Sequence, residues 1–264
     1  MQFIGVSKVT FLAWASLLCL MPVSNQAKGG FPAPLKLCKV EDETCFVAQA
    51  QAFLRAFKLG IPELQVASLE PLDLGTVRVE SGGHSESVQF KLVMAQAKLH
   101  NLADTGVVKS LKGFVKDPSF SKPLKLVMVI DVPELELRSK YDVNGKLLIL
   151  PIVSKGDVSI KMKEVQIKSR ITAMPVKRND GHTYLSITDY KVLTKIKGGH
   201  FNMSNLFDDN VELRESTLKV LNQEWNTLAI DVQPRINEAS ATAFKSMLQH
   251  LWNTIPYDSF FENQ

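Results

Sequence analysis

The sequence predicts an α+β fold in which a long, strongly curved antiparallel β-sheet wraps around a long C-terminal α-helix. Three observations predict it. From about residue 75 to 197 apolar residues recur with period two, the signature of half-buried strands. From Leu221 to Leu251 they recur at steps of three and four, which makes one stripe on a helix about 45 Å long. At Pro133 and near Glu164 the period-two pattern slips by one residue, as expected where long strands bend or bulge. A long sheet and one long amphipathic helix must bury each other's apolar faces, and a sheet that curls around the helix does so.

The N-terminus carries one positive charge, Lys8, followed by an apolar run from Val9 to Val23. Roughly 15 apolar residues suit the core of a secretory signal and are short for a membrane span. Pro22 interrupts the run, and Ala27, with Ser24 as the alternative, is the small residue before cleavage. The expectation is a signal peptide over residues 1–27 and a single domain over 28–264, secreted into the extracellular space. No later stretch reaches the roughly 18 apolar residues of a span, so stable membrane insertion is not expected. The net charge of +4 is weak and dispersed, which argues against nucleic acid. Of three cysteines, Cys19 leaves with the signal; Cys38 and Cys45 remain and in an oxidising compartment should bridge.

Residues 31–40 hold two prolines and should be extended. Glu41, Asp42 and Glu43 suit a helix N-terminus. Phe46, Ala50, Phe53 and Phe57 then place one apolar stripe on a helix of about 41–59, with Gly60 as its C-cap and Pro62 preventing continuation. Val88, Phe90, Leu92 and Met94 alternate with polar residues, as do Leu124, Leu126, Met128, Ile130 and Val132; after Pro133 the apolar positions become Leu135 and Leu137. Asn144-Gly145 reads as a hairpin turn. Asn179-Asp180-Gly181 reads as a second, joining 165–177 to 182–197. Asp208, Asp209 and Asn210 offer N-caps to the C-terminal helix, Pro234 should kink it without ending it, and Pro256 ends it. The small residues Ala239, Ala243 and Ser246 on or beside its stripe leave room for an internal cavity.

The sequence contains five histidines, but they are far apart and lack metal-ligand spacing. There is no GxSxG elbow and no glycine-rich phosphate loop. Glu134 and Glu136 fall on the polar face of a strand. Neither an enzyme nor a cofactor is expected. Lys161, Lys163, Lys168, Lys177 and Arg178 read as exposed strand faces. Asn202-Met203-Ser204 is a glycosylation sequon.

Several motifs, in order, resemble the insect takeout / juvenile-hormone-binding family over nearly all of the mature chain. They are the Cys38/Cys45 pair; Gly60-Ile61-Pro62-Glu63-Leu64 with Ser68-Leu69-Glu70-Pro71-Leu72; Tyr141 to Leu147 continuing to Leu150-Pro151-Ile152; Asn205-Leu206-Phe207; Leu221-Asn222-Gln223-Glu224-Trp225 with Pro234 and Ile236; and Ile255-Pro256-Tyr257-Asp258 with Phe260-Phe261. The resemblance implies the tubular lipid-binding (TULIP-like) architecture and an elongated apolar ligand inside it: a juvenile hormone-like terpenoid, a fatty acid or another lipid. The hormone-binding branch carries a second disulfide for which this chain has no cysteine, which favours the takeout branch. On this reading Trp225, Leu228, Val232, Ile236, Phe244 and Met247 of the helix face the cavity, with Phe53, Phe57, Met128 and Ile130 opposite; the same residues also read as ordinary core. The expected protein is a monomeric carrier, linked through its family to circadian, feeding or chemosensory physiology. The alternative is a secreted signalling protein that acts on a receptor through its surface without a physiological ligand.

Overall fold

The computed structural model describes residues 34–80, 88–147, 150–207 and 210–262, so the expected signal segment lies outside the described residues. Along the chain, α1 (Glu43–Ala56) leads into β1 (Leu72–Glu80), β2 (Val88–His100), the single-turn α2 (Leu102–Thr105), β3 (Val107–Lys112), β4 (Leu124–Leu147), β5 (Leu150–Lys177), β6 (Thr183–Lys195), β7 (Gly198–Met203), α3 (Val211–Gln223) and α4 (Trp225–Thr254). The strands form one antiparallel sheet in the order β1-β2-β4-β5-β6, with β3 also beside β4 and β7 also beside β5.

Two very long strands carry this arrangement. β4 and β5 pair from Leu124 opposite Ala173 to Leu147 opposite Leu150 without a change of register. Their outer edges are each shared by two shorter strands. β3 covers β4 up to Asp131, and β2 covers it from Glu136 onwards. On the other side β7 covers β5 up to Lys163, and β6 covers it from Gln166. The two phase slips meet at the gap. Burial passes from Val132 to Leu135 on one strand and from Met162 to Val165 on the other, and Glu164 takes a positive φ of 48°. Because both strands slip at the same rung, their mutual register survives while the inward face is re-aimed and the sheet bends.

α4 lies in the resulting curve. Leu228, Val232, Phe244, Met247, Leu251 and Trp252 are buried along it, in one core with sheet residues such as Leu137, Ile160, Val165 and Ile171, and α4 packs most closely on β6 and β1. The helix runs through Pro234 uninterrupted and ends at the Ile255 cap, just before Pro256. At the second hairpin Gly181 has φ 86°, and its N–H donates to the Arg178 carbonyl at 3.0 Å, as a glycine-containing turn requires.

Four local expectations are corrected. Asn144-Gly145 is not the turn: Asn144 pairs with Val153 and Gly145 with Ile152, while the same two residues pair with Lys91 and Phe90 on their other side. Ladders on both flanks keep the strand going to Leu147 and outweigh the local turn preference of one dipeptide. The first helix is shorter than 41–59: Asp42 caps it by accepting from the Cys45 N–H at 2.9 Å, and it closes at Phe57, three positions before Gly60. The C-terminal stripe is divided between two helices, because Glu224 separates α3, which holds Leu221, from α4. Asn210 caps α3, accepting from the Leu213 N–H at 3.0 Å; Asp208 and Asp209 lie outside the described residues. Ser246 is exposed; Ala239 and Ala243 pack against the core, and the small side chains that line the central cavity are Ala229 and Ser240.

Glu136 is the exception to the solvated polar face. Its side chain is only 8% exposed, accepting from Arg138 Nη2 at 2.7 Å and from Ser159 Oγ at 2.6 Å. The Arg138 guanidinium foremost, helped by the Ser159 hydroxyl, holds its carboxyl down at about 2. A depressed carboxyl stabilises the fold above its unfolded value of about 4.5 and loses that contribution as pH falls through the folded value. We expect Glu136→Gln to lower stability by about 1–2 kcal/mol at pH 7, discounted for the solvent around Arg138. The difference should shrink below about pH 4.5, and below about pH 2 the variant and the parent should converge. Urea unfolding at a series of pH values measures this, and a difference that persists undiminished in acid would refute the assignment.

Candidate functional site

Between α4 and the sheet lie three apolar cavities in a row. The first, of about 180 Å³, sits at the end where α1 closes the curve, lined by Phe46, Ala50, Phe53, Met128, Ile130 and Met247 among others. The central one, of about 60 Å³, lies beneath the bend and is walled by Leu135, Met162, Val165, Trp225, Val232 and Ile236. The third, of about 70 Å³, lies between Phe90, Tyr141, Val143, Ile152, Leu228 and Val232. Phe244 lines both the first and the central cavity, and Val232 both the central and the third. At 1.5 Å per residue, Leu228 and Leu251 are about 35 Å apart along the helix. The cavities therefore form a string nearly as long as α4.

The end at α1 is built from segments near both ends of the described residues. Cys38 is disulfide-bonded to Cys45, Cα to Cα 5.7 Å, which ties the extended N-terminal segment to the first turn of α1. The Cys38 N–H donates to the Phe260 carbonyl at 3.3 Å, and the Glu262 N–H donates to the Cys38 carbonyl at 3.1 Å. Phe46 stacks on Phe114 at 4.3 Å and meets Phe261 edge-on at 6.0 Å. Tyr257 donates to the Val115 carbonyl at 2.7 Å and accepts from its N–H at 3.1 Å. α1 is held in place by Gln51, which accepts from the Val108 N–H at 2.8 Å and donates to Gly106, and by Arg55, which donates to the Ala103 and Gly106 carbonyls.

Of the residues expected at the ligand wall, Phe53, Met128, Ile130 and Met247 line the first cavity, Trp225, Val232 and Ile236 the central one, and Leu228 the third. Phe244 lies between the first two. Phe57 lines none of the three; it is half-buried, with its ring 5.3 Å from that of Phe53. Trp225 packs so closely on β7 that a Cβ on Gly199 would lie 2.7 Å from its ring, so a side chain there would have to displace the indole. Asn202 stands exposed on β7, and Ser204 Oγ accepts from the Asp157 N–H at 2.8 Å.

The walls are nearly free of charge. Tyr190, stacked on Phe244 at 6.2 Å, is pushed up to about 12 by burial, and Tyr257 likewise, so both phenols stay neutral at physiological pH. Lys36 and Lys146 border the first and third cavities, and both are exposed. Sequence reasoning missed one group of wall residues: Thr194 on β6 and Gln233, Asn237 and Ser240 on α4, all at the central cavity. Their signal was present, because 233, 237 and 240 follow one another at steps of four and three, a narrow polar stripe beside the apolar one. Among the described residues no cluster of His, Cys, Asp and Glu could hold a metal ion, and no helix is long and apolar enough to cross a membrane.

Three comparisons bear on this geometry. The family model described as haemolymph juvenile hormone binding protein matches residues 16–262. The chain is 68% identical over 251 residues to the circadian clock-controlled protein daywake of Drosophila yakuba, covering 95% of this chain and 96% of the relative. It is 64% identical over 264 residues to the protein of the same name from Drosophila melanogaster, covering the whole of both. Among solved structures it is similar to Takeout 1 of Epiphyas postvittana, with a TM-score of 0.75 and 23% identity over 86% of this chain and 99% of that one. The last likeness establishes the fold: a curled antiparallel sheet around a C-terminal helix, of the TULIP-like kind.

Proposed function

The chain belongs to the haemolymph juvenile hormone binding protein family, and from that premise we propose that it is a secreted carrier that shields an elongated apolar small molecule from water between sheet and helix. The observation that supports this most is the string of three cavities with shared walls at Val232 and Phe244. Each is smaller than the roughly 300–1,000 Å³ of an ordinary small-molecule pocket, so a ligand that uses them is long and thin and spans more than one. Binding is by burial: apolar area leaving water contributes about 25 cal/mol per Å², and methionine and aromatic walls adapt to a flexible chain.

Secretion is part of the same proposal. The Cys38–Cys45 bridge suits an oxidising compartment, and an aqueous extracellular fluid is where an apolar molecule needs a carrier. The two daywake relatives are named as clock-controlled; we extend that setting to this chain, and its transcript should cycle over the day.

Native mass spectrometry of the protein collected from insect-cell medium, followed by organic extraction, tests the carrier reading. A co-purifying apolar molecule of stoichiometric abundance is the expected result. A protein that emerges empty and refuses a series of long-chain esters would point instead to a signalling protein acting through its surface. The same sample gives the mature N-terminus, expected after Ala27, and any glycan mass on Asn202.

A further inference from the structure

The central cavity has a few polar side chains, Thr194, Gln233, Asn237 and Ser240, in its otherwise apolar wall. Gln233 Nε2 donates to the Thr194 carbonyl at 2.6 Å and to Thr194 Oγ1 at 2.8 Å. Thr194 Oγ1 in turn donates to Asn237 Oδ1 at 2.9 Å. These bonds leave two groups over. The hydroxyl of Ser240 has no hydrogen-bond partner among the described residues, although Ser240 is 4% exposed and lines the cavity; the amide nitrogen of Asn237 has none either, and half-buried Asn237 borders both the cavity and an open outer groove. A hydroxyl that opens onto an apolar cavity finds no partner in its walls, and alanine would be the better helix former at that position. The two groups are three residues apart on α4 and so lie side by side. Together they offer N–H and O–H donors and one hydroxyl acceptor.

We propose that Ser240 Oγ, with Asn237 Nδ2 beside it, is a recognition site for an uncharged oxygen in the middle of the ligand: a hydroxyl, ester or ketone group. This rests on the carrier reading and narrows the ligand class. An internal carboxylate is disfavoured, because no cation lines the central cavity and the lysines of the other two are exposed at their borders; an ion in that apolar space would be unpaired. A plain hydrocarbon chain is disfavoured too, because it would leave the Ser240 hydroxyl unsatisfied. The shared walls at Val232 and Phe244 place apolar space on both sides of this oxygen, so the group falls within the chain and not at its end.

Methyl ricinoleate and methyl oleate, which differ by one mid-chain hydroxyl, are suitable probes. The parent protein should bind methyl ricinoleate about three- to tenfold more tightly, the worth of one hydrogen bond. Ser240→Ala should abolish that preference, chiefly by weakening methyl ricinoleate, and should bind methyl oleate no more weakly than the parent does. Equal binding of the two esters by the parent, or a preference that survives in Ser240→Ala, overturns this inference alone. Failure of both esters to bind overturns the carrier reading and this inference with it.

Discussion

Replacing Val232 with tryptophan is expected to cut the uptake of long apolar ligands by about tenfold or more while the protein still folds. Val232 is 7% exposed and borders both the central and the third cavity. An indole there projects into spaces of about 60 and 70 Å³ and closes the passage between them. A ligand segment burying about 100 Å² contributes about 2.5 kcal/mol, so excluding that segment weakens binding by one to two orders of magnitude. Overpacking itself costs about 1–3 kcal/mol of stability, which a thermal melt reads separately. A fluorescent long-chain fatty acid and a short-chain analogue distinguish blockage from general damage: only the long probe should suffer, since the first cavity, at about 180 Å³, is untouched. A folded variant that takes up the long probe like the parent would remove Val232 from the ligand's path.

The double variant Cys38→Ser, Cys45→Ser should lose about 2–4 kcal/mol of stability and release ligand faster. The loop closed by the bridge is short, with a sequence separation of 7, and the loop-closure model gives about 2.5 kcal/mol for such a loop. The kinetic effect comes from position. The Cys38 backbone is paired to Phe260 and Glu262, and Cys38 itself lines the first cavity. Without the bridge, only those two backbone bonds and the one that the Lys36 N–H donates to Gln49 Oε1 at 2.7 Å hold the N-terminal segment over that end of the string among the described residues. Stopped-flow displacement of a preloaded probe checks this: unbinding that is no faster in the double variant would mean that ligands leave elsewhere.

The sequence was informative wherever one face of an element was buried throughout. The α4 stripe and the paired slips at Pro133 and Glu164 were visible because a buried face forces apolar residues into register with the backbone period. The Asn144-Gly145 turn was misplaced because local turn preference was weighed without the two flanking ladders, which depend on strands distant in sequence. The break at Glu224 was invisible because Leu221 and Trp225 keep helical spacing across it. The sharing of β4 and β5 between shorter strands could not be read, since which half of a long edge a strand occupies is decided by the bend. At the site, apolar wall residues were found because they coincide with the core pattern. Ser240 and Asn237 were not, because a polar residue next to an apolar stripe ordinarily faces water.

The gap between β3 and β2 on one edge of the long hairpin, and between β7 and β6 on the other, also has a mechanical meaning. At the rung of Pro133 and Glu164 the sheet narrows to β4 and β5, from four strands on the β3 side and five on the β2 side, with one further bond from the Lys197 N–H to the Lys163 carbonyl. Two stiff plates are thus joined by a ribbon, and curvature can change along that line while the fewest interstrand bonds are strained. Amide protons of the ribbon should therefore exchange by local opening well before those of either plate. The ribbon lies beside the central cavity, whose wall includes Leu135, Met162 and Val165, so a change of curvature there would move that wall.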